Sequence, residues 1–211
     1  MDEHSVQDYD AWYDSPKGRT LFHVELACLE PMFEGLRRPR LEIGVGTGRF
    51  AEALGIEFGI DPSHDALLLA RGRGVNVVEA TGETLPFADA TFGAVLIAFT
   101  LCFVRDPERV FAEAHRVLVA SGGLVLGELP REGPWARWYA RRGAEGDPSF
   151  RDAHFLAQEE IQSMLARAGF RLVSIRSSLY QPPGPAAYEA EAPRAGYDPA
   201  AGFVAALAVH E

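Results

Sequence analysis

Between residues 16 and 36, apolar side chains recur at spacings of three and four, so that Phe22, Leu26, Leu29 and Phe33 share one helical face. From residue 40 the pattern changes. Short apolar runs, "RLEIGV", "IEFGID", "VNVVEA" and "FGAVLIAF", alternate with amphipathic stretches, "GRFAEALG", "SHDALLLARGRG" and "DPERVFAEAHRVLVASGG". The runs predict strands and the stretches predict helices. In the last helix, Asp106 suits the N-cap, Pro107 the first turn, and Val110, Ala114, Val117 and Leu118 the buried face. "GLVLGEL" reads as the next strand. Strands that are apolar throughout, alternating with amphipathic helices, predict a mainly parallel sheet covered on both faces.

After residue 130 the rhythm breaks. Trp135, Trp138, Tyr139 and Phe150 stand among Arg, Gly and Pro. "AQEEIQSMLARAG" predicts a helix with Ile161, Met164, Leu165 and Ala168 on one face and Gly169 as its stop. "FRLVSIRSSL" and "GFVAALAVHE" predict two strands, joined by the Pro-rich segment 182–199 and expected to lie antiparallel at the sheet edge.

Composition narrows the reading. A chain of 211 residues, 47% hydrophobic, fits one domain with a sizeable core. Twenty Lys and Arg against 30 Asp and Glu leave a net charge of −10, which argues against nucleic acid as the main partner. The apolar stretch "GAVLIAFTLCFV" falls short of the roughly 20 residues that a membrane span needs. The acidic opening "MDEHSVQDYD" lacks the apolar centre of a signal peptide, so a cytoplasmic protein is expected. Cys28 and Cys102 stand far apart and form neither a metal-ligand pair nor a disulfide framework, and no metal is expected.

The candidate chemistry begins at "LEIGVGTGRF", where a strand runs into Gly44, Gly46 and Gly48 and then into a helix. Glycines there permit a tight turn and close approach of a ligand, and the helix N-terminus offers free amides. The dinucleotide fingerprint needs a third glycine where this chain has Arg49, so the spacing favours a different ligand. Glu42 is a carboxylate inside an apolar strand, which is costly unless paired and therefore reads as functional. Asp61 ends the next strand in "GIDPS", where a carboxylate can accept both hydroxyls of a ribose.

Four segments, "LEIGVGTGRF", "GIDPS", "GETLPFADATFGAVLIAF" and "DPERVFAEAHRVLVASGGLVLGE", stand in order over about residues 40–130. Together they resemble the class I S-adenosylmethionine-dependent methyltransferases, in particular the small-molecule branch of ubiquinone and menaquinone biosynthesis type. The resemblance implies a Rossmann-like three-layer α/β sandwich with a mostly parallel, seven-stranded sheet and an antiparallel edge strand. It implies one domain over 1–211: an N-terminal helical cap (1–38), a cofactor-binding half (39–130), a lid (131–156), and a C-terminal helix with an antiparallel strand pair (157–211). S-adenosylmethionine is the implied cofactor. Gly44, Val45 and Gly46 would lie under its methionine part with Glu42 near the amino group. Asp61, followed by Pro62, would hold the ribose. Thr81, Gly82 and Glu83 would edge the adenine, and Ala98 and Phe99 would contact the methionyl end. Family members often carry an aspartate where this chain has Thr81, whose hydroxyl can still accept a hydrogen bond.

The implied reaction is methyl transfer to an oxygen, nitrogen or carbon nucleophile of a small molecule by in-line displacement, in a monomer or homodimer. Two segments could cover the site. The N-terminal one carries Tyr9, Trp12, Tyr13 and Arg19, and the lid carries Trp135, Trp138 and Tyr139. For the aromatic residues, packing is as good a reading as substrate contact. His154 and Tyr139 are the candidate bases, although a solvated ring is the plainer reading of His154. His115 reads as surface, Cys102 as a small buried apolar residue, and Arg137, Arg141 and Arg142 as a solvated helix face. Two other readings stay open: an NAD(P)-dependent oxidoreductase on a similar sheet, and a non-catalytic partner subunit that keeps the pocket. Two isolated cysteines argue against arsenite as acceptor.

Overall fold

The computed structural model describes residues 3–210. Two helices, α1 (Glu3–Trp12) and α2 (Pro16–Leu29), precede an alternating run: β1 (Arg40–Ile43), α3 (Arg49–Leu54), β2 (Phe58–Asp61), α4 (His64–Gly72) and β3 (Asn76–Glu79). β4 (Phe92–Ala98), α5 (Pro107–Val117) and β5 (Leu118–Glu128) follow. The remainder is α6 (Pro134–Ala144), α7 (Gln158–Arg167), β6 (Phe170–Ser178), β7 (Arg194–Ala195) and β8 (Phe203–His210).

The strands form one sheet in the order β3-β2-β1-β4-β5-β8-β6-β7. β1 to β5 are parallel, β8 runs antiparallel between β5 and β6, and β7 pairs antiparallel with the outer side of β6. The sheet therefore has eight strands, where the resemblance implied seven. The extra strand is two residues of the Pro-rich segment, held where the Ser177 hydroxyl donates to the Gly196 carbonyl at 2.8 Å. The antiparallel pairing stands at the edge as expected: β8 runs between β5 and β6, and β7 closes that edge antiparallel to β6.

Two cores sandwich the sheet. One joins Leu96, Ala98 and Val125 to α2, α3, α4 and α6; the other joins Val95, Ile97 and Leu126 to α5 and α7. Every residue of β4 is buried, as an apolar central strand requires. The α5 cap is present, with Asp106 accepting from the Arg109 amide at 3.0 Å. That helix stops at Val117, short of the predicted "LVASGG". Leu118 instead pairs with Phe92, and the Val117 carbonyl accepts from the Thr91 amide, so the backbone leaves the helix for the ladder. The buried face of α2 is also rotated from the predicted one. Leu21, Val24, Glu25, Cys28 and Leu29 point inward, while Phe22 and Leu26 are only partly covered. None of the described helices is long and apolar enough to cross a membrane.

α1 is fastened by ion pairs as well as by the buried Val6. Asp10 accepts from Arg49 Nε at 2.8 Å and from an Arg73 guanidinium nitrogen at 2.9 Å, while Arg49 also reaches Asp14. Burial works against the Asp10 charge, yet the hydrogen bonds from the two arginines hold its carboxyl down at about 2. At the other lid, Trp135 is 2% exposed and its indole donates to the Gln181 carbonyl at 2.9 Å.

Two outcomes follow from these anchors. Asp10→Asn is expected to leave the melting transition nearly unchanged but to raise protease cleavage near α1 by a factor of about 5–30, from roughly 1–2 kcal/mol of lost charged hydrogen bonding. Equal cleavage rates would mean that the ion pairs do not hold the helix. Trp135→Ala should cost about 3–5 kcal/mol in urea denaturation, as for a large core side chain. A cost under about 1 kcal/mol would return Trp135 to the substrate-contact reading.

Candidate active site

The chain reverses its winding direction between β1 and β4: β2 and β3 lie to one side of β1, and β4 and β5 to the other. In such sheets the crevice outside the carboxyl ends at this point is where ligands bind. The loop 44–48 sits at that position. Its backbone is fixed by Gly44 and Val45 amides donating to the Ile60 carbonyl at 2.8 and 2.9 Å, and by the Gly46 amide donating to Asp61 Oδ2 at 2.9 Å.

The three glycines have different tasks. A side chain on Gly44 would collide with Thr100, and one on Gly48, at φ +85°, would come within 2.8 Å of Ala70 on α4. These two glycines admit the protein's own packing. Only Gly46 faces open space, with φ +50° and nothing within 4 Å of where a Cβ would be. Val45 turns its side chain into the core against Gly59, so only its backbone borders the crevice.

Glu42 is 2% exposed and its Oε2 has no hydrogen-bond partner among the described residues. Burial, and then the nearby Asp61 charge, hold its carboxyl well above the usual range. Asp61 is itself raised by burial; its two oxygens accept from the Ser63 and Gly46 amides at 2.8 and 2.9 Å and keep further lone pairs free. Two carboxylates under the glycine loop repel a pyrophosphate, and the loop amide that would greet one is taken by Asp61. The same pair suits a ligand that carries a cation and hydroxyl groups. Orphaned Glu42 and the free space at Gly46 therefore fit the ammonium and ribose of S-adenosylmethionine.

The other expected residues divide. Ala98 and Phe99 close the end of β4. Phe99 adopts φ +54°, uncommon for a bulky residue, and stacks on Phe203 with centroids 5.0 Å apart. Gly82 packs closely on Ile43 and Val110. Glu83 turns its carboxylate to the Arg105 amide at 3.0 Å, while Thr81 and Pro62 are exposed. Tyr9 exposes 45% of its surface but buries its hydroxyl against that of Tyr13, 2.9 Å away. Trp12 and Arg19 are exposed. Tyr139 stacks on Phe150 at 4.2 Å, and Trp138 is half-buried beneath the Arg142 guanidinium. His154 is exposed and meets the site only through its amide, which donates to the Cys102 carbonyl at 2.7 Å. Burial, and then Glu128, push the Cys102 thiol up, so it is no nucleophile. His115, expected at the surface, is half-buried and stacks on His210 with centroids 4.0 Å apart, because β8 returns beside α5.

Glu25 and Arg49 were not singled out from the sequence as site residues, whereas Tyr13, read there as packing or lining, is 7% exposed and packs edge-on against Phe22 and Phe50. Glu25 lies on the buried face of α2, 8% exposed and raised to about 8 by burial alone. The signal was the same as for Glu42: a carboxylate within an apolar run, "FHVELACL". Arg49, noted only as the missing third glycine, is the latch for α1.

The Methyltransferase domain family matches residues 41–126. An uncharacterised protein of Mycobacterium tuberculosis is 55% identical over 203 residues, spanning 96% of this chain and 71% of that one. A malonyl-[acyl-carrier protein] O-methyltransferase of Geobacter sulfurreducens is 32% identical, spanning 80% of this chain and 67% of its own. A crystal structure from Thermotoga maritima, described as a SAM-dependent methyltransferase and possible histamine N-methyltransferase, superposes with a TM-score of 0.88. It is 33% identical and covers 99% of this chain and 97% of that one. A match of this extent in sequence and fold, over a crevice whose carboxylates suit the cofactor, makes the chain a member of the S-adenosylmethionine-dependent methyltransferases, with S-adenosylmethionine as its cofactor.

Proposed function

We propose that the protein is an enzyme that transfers the methyl group of S-adenosylmethionine to an oxygen, nitrogen or carbon nucleophile of a small molecule. The observation that carries the cofactor side is Glu42, a buried carboxylate with an unpartnered oxygen under the glycine loop. In this reading Glu42 takes the cofactor's ammonium, Asp61 its ribose hydroxyls, and the backbone at Gly46 its methionine part. Gly82 and Glu83 border the adenine through their backbone, since the Glu83 side chain is engaged elsewhere. Ala98 and Phe99 back the methionyl end.

When bound, the cofactor supplies a methyl already activated by its sulfonium. The chain's task is to position the acceptor and exclude water, and positioning alone can supply roughly 7–11 kcal/mol. Two elements serve that task. α1 is latched over α3 and α4 by Asp10, and α6 brings Tyr139 toward the same side. The aromatic rings Tyr13, Phe22, Phe50 and Phe99 form a continuous lining between them, with successive centroids 5.7, 4.9 and 5.7 Å apart. Cover from two sides supports a small acceptor over a polymer, as does the net charge of −10. The relatives do not fix the acceptor: one methylates an oxygen of malonyl-[acyl-carrier protein], and another is described as a possible histamine N-methyltransferase.

Calorimetric titration with S-adenosylmethionine, S-adenosylhomocysteine and NAD tests the reading. The two adenosyl compounds are expected to bind and NAD is not; binding of NAD alone would overturn the assignment. Glu42→Ala and Asp61→Ala should each weaken S-adenosylmethionine at least tenfold, about 1.4 kcal/mol. Unchanged affinity in both would remove these two roles. An acceptor screen read by mass gain then separates an enzyme from a partner subunit, which would bind cofactor and methylate nothing.

A further inference from the structure

Arg73 closes α4 as its C-cap residue, and its guanidinium faces two ways. Nη1 donates to the Thr47 carbonyl of the glycine loop at 2.7 Å, and Nη2 donates to Asp10 Oδ2 of α1 at 2.9 Å. The Arg73 side chain is 19% exposed and that of Asp10 15%, so the contact is largely withdrawn from water. One turn earlier on α4, Ala70 is the wall on which Gly48 packs. The loop is therefore held from two elements. Its amides go to Ile60 and Asp61 of β2, while Gly48 and the Thr47 carbonyl lie against the end of α4. Arg49, the residue after Gly48, grips the same Asp10 through Nε at 2.8 Å and Nη2 at 2.9 Å. Both arginines beside the loop thus share one carboxylate of the cover.

We propose that Arg73 is a positioning residue that couples the docking of α1 to the retention of S-adenosylmethionine at the glycine loop. The inference rests on the methyltransferase reading, with the cofactor at Gly46, and adds what retains it there. Gly46 is the open face of the loop, and the carbonyl that Arg73 holds belongs to the next residue. A guanidinium is a planar fork, so one side chain serves a carbonyl and a carboxylate at once, in a fixed relative geometry. With α1 docked, Asp10 fixes that plane and the plane fixes Thr47. With α1 lifted, the carboxylate left to Arg73 is Glu52, 3.3 Å from Nε and 58% exposed, and the plane is free to turn away from the loop. A cofactor that fits the docked shape of the loop favours docked α1. By linkage, docked α1 then favours the cofactor by the same factor.

The coupling is carried by charges near the surface, so salt weakens it. The screening length falls from about 10 Å at 0.1 M ionic strength to about 3 Å at 1 M. Cofactor release should therefore quicken with ionic strength, although the crevice itself is lined by apolar and backbone groups around Gly46.

The test reads the coupling from both ends on the full chain, with S-adenosylhomocysteine as the probe. Chymotrypsin cuts after aromatic residues, and Tyr9 and Trp12 of α1 become its substrates in proportion to the lifted population. In the unmodified chain, saturating S-adenosylhomocysteine should slow that cleavage about fivefold or more. Its dissociation, followed by stopped-flow displacement, should quicken by a similar factor between about 0.1 M and about 1 M salt. Arg73→Met keeps the stem and removes both bonds. It should lose the protection and release the ligand about fivefold faster, while Asp10 stays on Arg49. An arginine that merely fastened the helix would raise cleavage with and without ligand and leave the protection factor intact. Asp10→Asn cuts the relay from the α1 side and should lose the same protection, which keeps the test decisive should Arg73→Met fail to fold. Glu52→Gln removes only the outer partner and should keep the protection. Four results overturn the proposal: no protection in the unmodified chain, protection surviving in Arg73→Met and Asp10→Asn, unchanged dissociation in both, or equal loss in Glu52→Gln. Failure of the methyltransferase reading shows separately, as absence of S-adenosylhomocysteine binding in the unmodified chain.

Discussion

Burial of Glu42 in the middle of a parallel strand costs free energy that the Ala51 backbone offsets only in part, leaving Oε2 without a partner among the described residues. Its neighbour on the next strand, Asp61, adds a second negative charge, and burial raises both carboxyls. An arrangement like this is poor for stability and good for binding. The cost of desolvating the carboxylate is met when the fold forms, so in the proposed role of Glu42 an incoming ammonium does not have to strip water from it. The surrounding strands hold the position in spite of that cost because they are tightly paired, with Glu42 opposite Gly59 and Leu96 in register. The glycines of the loop serve this constraint more than they serve the ligand. Gly44 and Gly48 bring Thr100 and α4 close, which fixes the loop above the carboxylate and leaves Gly46 as its open face.

Glu25 repeats the constraint in α2, where burial again raises a carboxyl. Beside α1, Arg49 and Arg73 are both committed to Asp10. Polar pairs at a cover are suited to exchange: they form and break with less loss than an apolar interface, and water can satisfy them when the cover opens. Trp135 anchors α6 differently, by burial against Gly202 and a hydrogen bond to Gln181, so the two covers differ in how readily they open.

The apolar runs of "RLEIGV" and "FGAVLIAF" determined the parallel core, since a strand that is hydrophobic throughout must be covered on both faces. Asp106 and Pro107 determined where α5 begins, because capping is a local matter of one side chain and one amide. Glu42 was legible for the same kind of reason: a charge in an apolar run is visible without knowing its neighbours. What the sequence could not decide were matters of orientation and partnership. A shift of the buried face of α2 by part of a turn took Glu25 inside, and only packing against β5, β6 and β8 sets that rotation. Arg49 looked like a gap in a glycine pattern until the fold brought Asp10, 39 residues away, against its guanidinium. β7 and the return of β8 beside β5 depend on pairing between distant segments, which no local propensity encodes. Short-range chemistry is written in adjacent residues, whereas the docking of α1 on Arg49 and Arg73, and of α2 on β5, β6 and β8, is decided by which surfaces the sheet forces together.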